Sequence, residues 1–291
     1  MSYLLLIIAD VLLSVNFICS KKYQLMRGVT AKAAYFSVAI MGFFTAVLFF
    51  IINGFKIDFS LYSILISLCF NLTVILYSVI GRYVIHRGSL ALYTLFLMSG
   101  GMLVPYVWGI VFRGESFTIR SIFGIALIIV AMLVSNTTQI KLNIKFVLLC
   151  FAVFFLNGLT SVFSKIHQTT TAYPTINTTD FVIWGGIIRL IIGSILFWVE
   201  YKKGDEIFDN PKSSTISVLG LLMISTLASG ISSILQLYSA KTVPATVLYP
   251  FITGGSIIFT SLAGMILYKE KLTKEILASI LICFIGTLLF L

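Results

Sequence analysis

Ser99-Gly100-Gly101 lies inside a long apolar run and returns 154 positions later as Thr253-Gly254-Gly255. At the same offset Ala91 meets Ala245, Ser78 meets Ser232 and Asn71 meets Ser225. Just beyond, Glu115-Ser-Phe-Thr118 returns as Glu270-Lys-Leu-Thr273, now 155 positions on. Near the start of each half, Ser20-Lys21-Lys-Tyr-Gln24 returns as Ser164-Lys165-Ile-His-Gln168. The chain writes one pattern twice.

The solvent for that pattern is lipid. Apolar residues make up 59% of the chain and charged residues 10%, with a mean hydropathy of +1.08. A soluble domain carries about 25% charge, and 291 residues could not bury this much apolar surface away from water. In a bilayer the same side chains need no hiding, and about 20 residues of helix cross the hydrocarbon core. Ten runs meet that length, near 3–20, 33–53, 62–80, 89–112, 118–135, 145–164, 180–199, 214–238, 243–268 and 274–291. The expected fold is an all-α integral membrane protein of ten transmembrane helices. Five is odd, so a five-helix repeat is inserted upside down the second time. The halves, 1–139 and 140–291, are expected to form two inverted five-helix repeats. The first run is expected to stay as a helix rather than act as a cleaved signal, because Lys21 and Lys22 follow it where a small-residue cleavage site would stand.

Several chemistries lack raw material. Cys19, Cys69, Cys150 and Cys283 share no close spacing, which leaves no CxxC motif. The two histidines, His86 and His167, fall near helix ends, so neither a metal site nor a Ser-His-Asp triad is expected. No GxxxxGK[ST] loop is present for ATP hydrolysis. The reading is therefore not an enzyme, with no cofactor and no metal. The formal charge of +10 is scattered over helix ends and does not indicate nucleic acid. Assigned alternately to the two faces, 14 Lys and Arg residues fall on one side and 5 on the other. The positive-inside rule makes the richer face cytoplasmic and places both termini outside.

Two charges lie within spans. Asp10 sits about seven residues into the first helix, roughly 10 Å from its start, and Arg189 lies near the middle of the seventh. A charge at such depth costs about 2.5–3.5 kcal/mol on insertion scales, so it is kept for a partner or a task. Asp10 is read as a proton or cation site, or as an acid near enough to the end to reach interfacial water. Arg189, charged at any relevant pH, is read as an anchor for an anion, or as a tie to helix-end carbonyls or to Asp10. Polar stripes accompany them. Ser225, Ser229, Ser232 and Gln236 step by four, three and four and share one helix face, and Ser67, Asn71 and Ser78 repeat this in the third helix. Such a face lines a wet cavity or ties helices together. Ser14 lies one turn beyond Asp10, and Asn157 and Thr160 could join from the sixth helix. Tyr93, Trp108, Trp184 and Tyr249 are stacking surfaces for a flat or cationic solute, or packing aromatics. Gly100-Gly101 with Pro105, and Gly254-Gly255 with Pro250, mark places of close approach and kinking.

These residues resemble a known family. The repeated fourth-to-fifth and ninth-to-tenth helix pattern, ending in Glu115-x-x-Thr118 and Glu270-x-x-Thr273, looks like the EamA-type branch of the drug/metabolite transporter superfamily. Pro244-Ala-Thr-Val-Leu-Tyr249-Pro-Phe-Ile-Thr253-Gly254-Gly255 through Glu270-Lys-Leu-Thr273 is similar to part of the four-helix small multidrug resistance proteins. Ala9-Asp10-Val11 resembles their acid-bearing first helix, with Asp in place of Glu. Arg189 resembles a basic residue often seen in the second helix of an EamA repeat, where Met41 falls in the first half. The resemblance implies a plasma-membrane, multi-pass bundle that moves small organic solutes without ATP, with both termini cytoplasmic, against the charge count. Duplicated halves rocking about a midplane site are how many secondary transporters work. A zwitterion such as an amino acid would meet both Asp10 and Arg189, and an organic cation would use Asp10 and the aromatics. Proton coupling and homodimerisation stay open. The alternative reading is a non-transporting membrane scaffold or assembly partner.

Overall fold

The computed structural model describes residues 2–114, 118–135, 144–203, 214–239, 245–270 and 272–289. Ten helices are described: α1 Ser2–Arg27, α2 Ala31–Ile52, α3 Leu61–Arg87, α4 Leu90–Arg113, α5 Ile119–Ser135, α6 Ile144–Thr169, α7 Thr178–Lys202, α8 Thr215–Ser239, α9 Ala245–Tyr268 and α10 Lys274–Leu288. Eight of them are long and apolar enough to cross a membrane. The chain is an all-α membrane protein, with ten helices among the described residues. Its residue chemistry sets where helices begin. Thr30, Ser60, Ser89, Asn177 and Thr273 each accept a hydrogen bond from the backbone N–H three residues on, which satisfies a donor the first turn leaves open. Gly114 closes α4 in a left-handed conformation (φ 64°), which glycine adopts without a Cβ clash.

Three helices outrun their apolar stretches. The hydropathy pattern ends the first, third and sixth runs near 20, 80 and 164, yet α1 continues to Arg27, α3 to Arg87 and α6 to Thr169. Hydropathy marks where lipid contact ends, whereas the backbone ladder continues as long as neighbouring helices shelter it. Those three polar extensions matter below.

The outward surface is apolar. Leu65, Ile129, Ile195 and Leu281 are each about half exposed or more, alongside many other large aliphatic side chains. Such a surface suits lipid and not water. Inside, the largest apolar cluster gathers around α4, with Leu92, Leu95 and Phe96 against Ile128 of α5, Val153 of α6, Ile257 of α9 and Cys283 of α10.

The helices pair across the two halves of the chain. The closest neighbours are α2 with α7, α1 with α8, α3 with α6, α4 with α6, α5 with α10 and α1 with α9. Exchanging α1–α5 for α6–α10 turns α1–α8 into α6–α3 and α1–α9 into α6–α4, and leaves α2–α7 and α5–α10 unchanged. Direction follows from named contacts. Gly100 abuts Phe154 and Gly158 abuts Val104, so α4 and α6 run the same way. α2 and α7 run opposite ways, since Ala39 meets Gly193 and Gly42 meets Gly186.

That last crossing is held by missing side chains. A Cβ on Gly42 would stand 2.6 Å from the Leu190 nitrogen and 2.8 Å from the Gly186 oxygen, and one on Gly186 would stand 2.6 Å from the Ala46 nitrogen. Small residues let membrane helices approach backbone to backbone, where dispersion replaces a hydrophobic driving force. Gly42→Leu is expected to lower the thermal midpoint of the purified protein and shift its size-exclusion profile, since overpacking costs roughly 1–3 kcal/mol even where side chains can yield. Gly220→Ala, where nothing lies within 4 Å, is expected to leave the midpoint unchanged or raise it, because alanine favours helix by about 1 kcal/mol.

Candidate functional site

Asn177 caps α7 by accepting from the Asp180 N–H at 2.8 Å. Two turns in, Gly185 and Gly186 let α3 and α2 close on the helix: a Cβ on Gly185 would meet the Asn71 amide at 2.8 Å. Arg189 follows one turn later. Its Nε donates toward the Gly185 carbonyl at 3.4 Å and its Nη2 donates to Thr45 Oγ1 at 3.2 Å. Among the described residues no ion pair involves Arg189 or Asp10, so the tie between them weighed from sequence is not made. Arg189 instead lines two cavities.

One cavity, of about 250 Å³, lies between the end of α1, the start of α2, the second half of α3 and the start of α4. Arg82 projects into it. Its Nη2 donates to Ser37 Oγ, its guanidinium carbon lies 4.9 Å from the Tyr23 ring centre, and Nε and Nη1 are buried with no hydrogen-bond partner. Gln24, also lining it, has a buried Nε2 with no partner. Asn16, Ser20, Ser78, Tyr77, Tyr93 and Ser229 add further polar groups to its wall.

The second cavity, of about 290 Å³, is lined by the end of α6 and the start of α7. Asn71, Ser164, His167, Gln168 and Gln236 supply its polar groups. His167 Nε2 lies 2.9 Å from Ser63 Oγ, and Gln236 Nε2 donates to Ser232 Oγ at 3.0 Å. α1 ends where α4 begins, since Lys21 on α1 pairs with Glu270, whose carboxylate also accepts from the Leu90 N–H at 3.3 Å. α6 runs parallel to α4 and therefore ends at the other side of the bundle. The two cavities lie toward opposite ends, with Arg189 common to both. Their walls hold repeated sequence: Ser20 and Gln24 in one are Ser164 and Gln168 in the other.

Asp10 is elsewhere. It is fully buried between α1 and α9, pressed against Gly255, and lines neither cavity. Ser256 Oγ donates to its Oδ1 at 3.3 Å, and Oδ2 is unpartnered. Ser14 donates to the Asp10 backbone carbonyl at 2.8 Å. The α8 stripe divides between the two roles weighed for it. Ser225 donates to Asn16 Oδ1 at 2.5 Å and Ser232 to the Ala9 carbonyl at 2.7 Å, tying α8 to α1, while Ser229 and Gln236 face the cavities. Asn157 ties α6 to α4 by donating to the Leu97 carbonyl at 2.6 Å. Trp184 donates to the Asp58 carbonyl at 2.9 Å and stacks edge-on with Phe59, away from both cavities. Trp108 lies in an apolar groove with Phe112 and Phe155. The Tyr249 side chain falls outside the described residues.

Arg82, Gln24, His167 and Gln168 are cavity residues that sequence reasoning did not select. Arg82 lies just past the third apolar run, which stops near residue 80, so hydropathy places it among the helix-end charges. The repeat itself held the signal, since Ser20 and Gln24 return as Ser164 and Gln168. Lys21–Glu270 is a nearly buried pair, with side chains 13% and 10% exposed. Breaking such a pair from one side costs about 3–5 kcal/mol, while replacing both partners is far milder. Glu270→Leu alone is expected to lower the thermal midpoint by several degrees, and adding Lys21→Met to recover most of that loss in the same melting assay.

Residues 144–291 match the EamA-like transporter family, a match spanning half of the chain. The protein belongs to that family. A comparison with curated proteins finds no significant match.

Proposed function

From its membership of the EamA-like transporter family, we propose that this chain is a secondary transporter that carries a small organic metabolite across the plasma membrane by alternating access. Residues 1–139 and 140–291 act as two inverted five-helix repeats. The neighbour pattern that survives exchange of the halves and the parallel course of α4 and α6 support this reading. The observation that carries it is Arg189, which lines a cavity toward each end of the bundle. In an alternating-access cycle one anchoring group must meet the solute from either side, and a residue shared by two opposed cavities suits that role. Asn71, Ser78, Tyr93, Ser229 and Gln236 line the route around it. A scaffold would need packing faces but no polar cavities.

Asp10 is assigned to coupling and not to solute contact. Its unpartnered Oδ2 lies between α1 and α9, helices from different halves, so gaining or losing a proton there changes what holds the halves together.

Accessibility tests the cycle without knowledge of the solute. In a background with the native cysteines replaced by alanine, Ser20→Cys and Ser164→Cys are expected to react with a membrane-impermeant maleimide from opposite sides of sealed vesicles. Labelling of both from the same side, or of neither, sinks the proposal. In proteoliposome exchange, Arg189→Ala is expected to lose transport at least 10-fold, whereas Asp10→Asn is expected to retain exchange and lose its response to a pH gradient. Normal, pH-driven transport by both variants would remove these residues from the mechanism.

A further inference from the structure

We propose that the transported solute is an anion, bearing a carboxylate or a phosphate, and that Arg82 and Gln24 bind it together with Arg189. This deepens the transporter reading and rests on it.

The Arg82 cavity holds more donors than acceptors. Arg82 Nε and Nη1 and Gln24 Nε2 are buried and have no hydrogen-bond partner among the described residues. A buried polar group left unpaired costs about 1–3 kcal/mol, and more when charged. Three such donors on one cavity wall are the imprint of an acceptor that occupies it. The cavity's electrostatics agree. Arg82 and Arg189 both line it, and no Asp or Glu is among its described lining residues. Two guanidinium groups away from bulk water, charged at any accessible pH, call for a counter-charge that no described lining residue supplies. Asp10, the buried acid of α1, faces Ser256 and Gly255 instead.

The donors are also held in place. Ser37 on α2 accepts from Arg82 Nη2 while the Tyr23 ring on α1 lies against the guanidinium. Nε and Nη1 are thus left to donate, each on its own edge of the guanidinium, and such charge-assisted bonds suit carboxylate or phosphate oxygens. Tyr77 and Tyr93 add hydroxyl groups on the same wall. At about 250 Å³ the cavity lies just below the roughly 300–1,000 Å³ of drug-sized pockets, which points to a compact metabolite.

The two ends differ in this respect. Position 236 stands 154 residues after 82, the repeat offset, and holds Gln where the first half has Arg. Gln236 Nε2 is satisfied by Ser232. The His167 cavity therefore offers one guanidinium where the Arg82 cavity offers two.

Thermal stability of the purified full-length chain in a neutral maltoside detergent tests this, with benzoate, malate, glycerol 3-phosphate, inorganic phosphate and choline as probes and chloride matching the ionic strength. At least one of the four anions is expected to raise the melting midpoint by roughly 2–4 °C, a ligand effect of mass action, and choline is expected not to. The shift should vanish in Arg82→Gln, which installs the residue of the matched position, and shrink in Gln24→Ala, while Arg82→Lys keeps part of it. Stabilisation by choline and by no anion overturns the proposal. So does an anion shift that survives Arg82→Gln, or no shift with any anion. Stabilisation by phosphatidylglycerol micelles alone would assign the cavity to a lipid headgroup and equally overturn it. An anion that binds through Arg82 in a protein whose Ser20→Cys and Ser164→Cys variants label from one side would uphold this inference and sink alternating access.

Discussion

Lipid offers no hydrogen bonds, so every polar group within the bundle must find its partner in protein, in trapped water or in a ligand. Arg189 is the clearest case. Its guanidinium lies deep in α7, with Thr45 Oγ1 and the Gly185 carbonyl as neutral partners and no carboxylate among the described residues paired with it. Much of the surrounding structure serves to make that position tolerable. Gly185 and Gly186 bring α3 and α2 close enough to wrap the side chain, and the polar residues of α3 and α8 give it cavities in place of hydrocarbon. The α2–α7 crossing, built from Gly42, Gly186 and Gly193, is the framework for this, and it joins the two halves through their corresponding second helices.

The number and type of helices were legible from hydropathy because lipid imposes the apolar length directly. The return of Ser99-Gly100-Gly101 is a sequence pattern, and the helix-neighbour pattern that survives exchange of the halves is consistent with it. What hydropathy could not show was where α1, α3 and α6 stop, because their last turns are sheltered by neighbours and not by lipid. Arg82 lies in one of those extensions, and so did its role. Asp10 shows the opposite limit. Its depth in α1 was evident, but α9's Gly255 admits it so closely that it packs between helices, a contact 245 residues apart in sequence. The α8 stripe was legible as a face, yet that one face meets both a helix and the cavities. Ser225 and Ser232 point to α1 while Ser229 and Gln236 do not.

The family match covers residues 144–291, the half that contains Arg189, Gln236 and Glu270. The first half contributes Arg82, Gln24 and Asp10. The groups on which the proposed chemistry depends are therefore divided between the two halves of the chain.

Arg82 and Gln236, 154 positions apart, show what a difference between the halves entails. A carrier whose halves were identical would grip its cargo equally at both mouths. Replacing one guanidinium by an amide makes the two mouths unequal, yet detailed balance forbids that inequality from pumping anything by itself. In the proposed cycle it would set residence: the loaded carrier would wait longer at the Arg82 mouth, and departure from there would become the slow half-trip. Efflux and influx through one molecule would then saturate at different concentrations while sharing the same equilibrium.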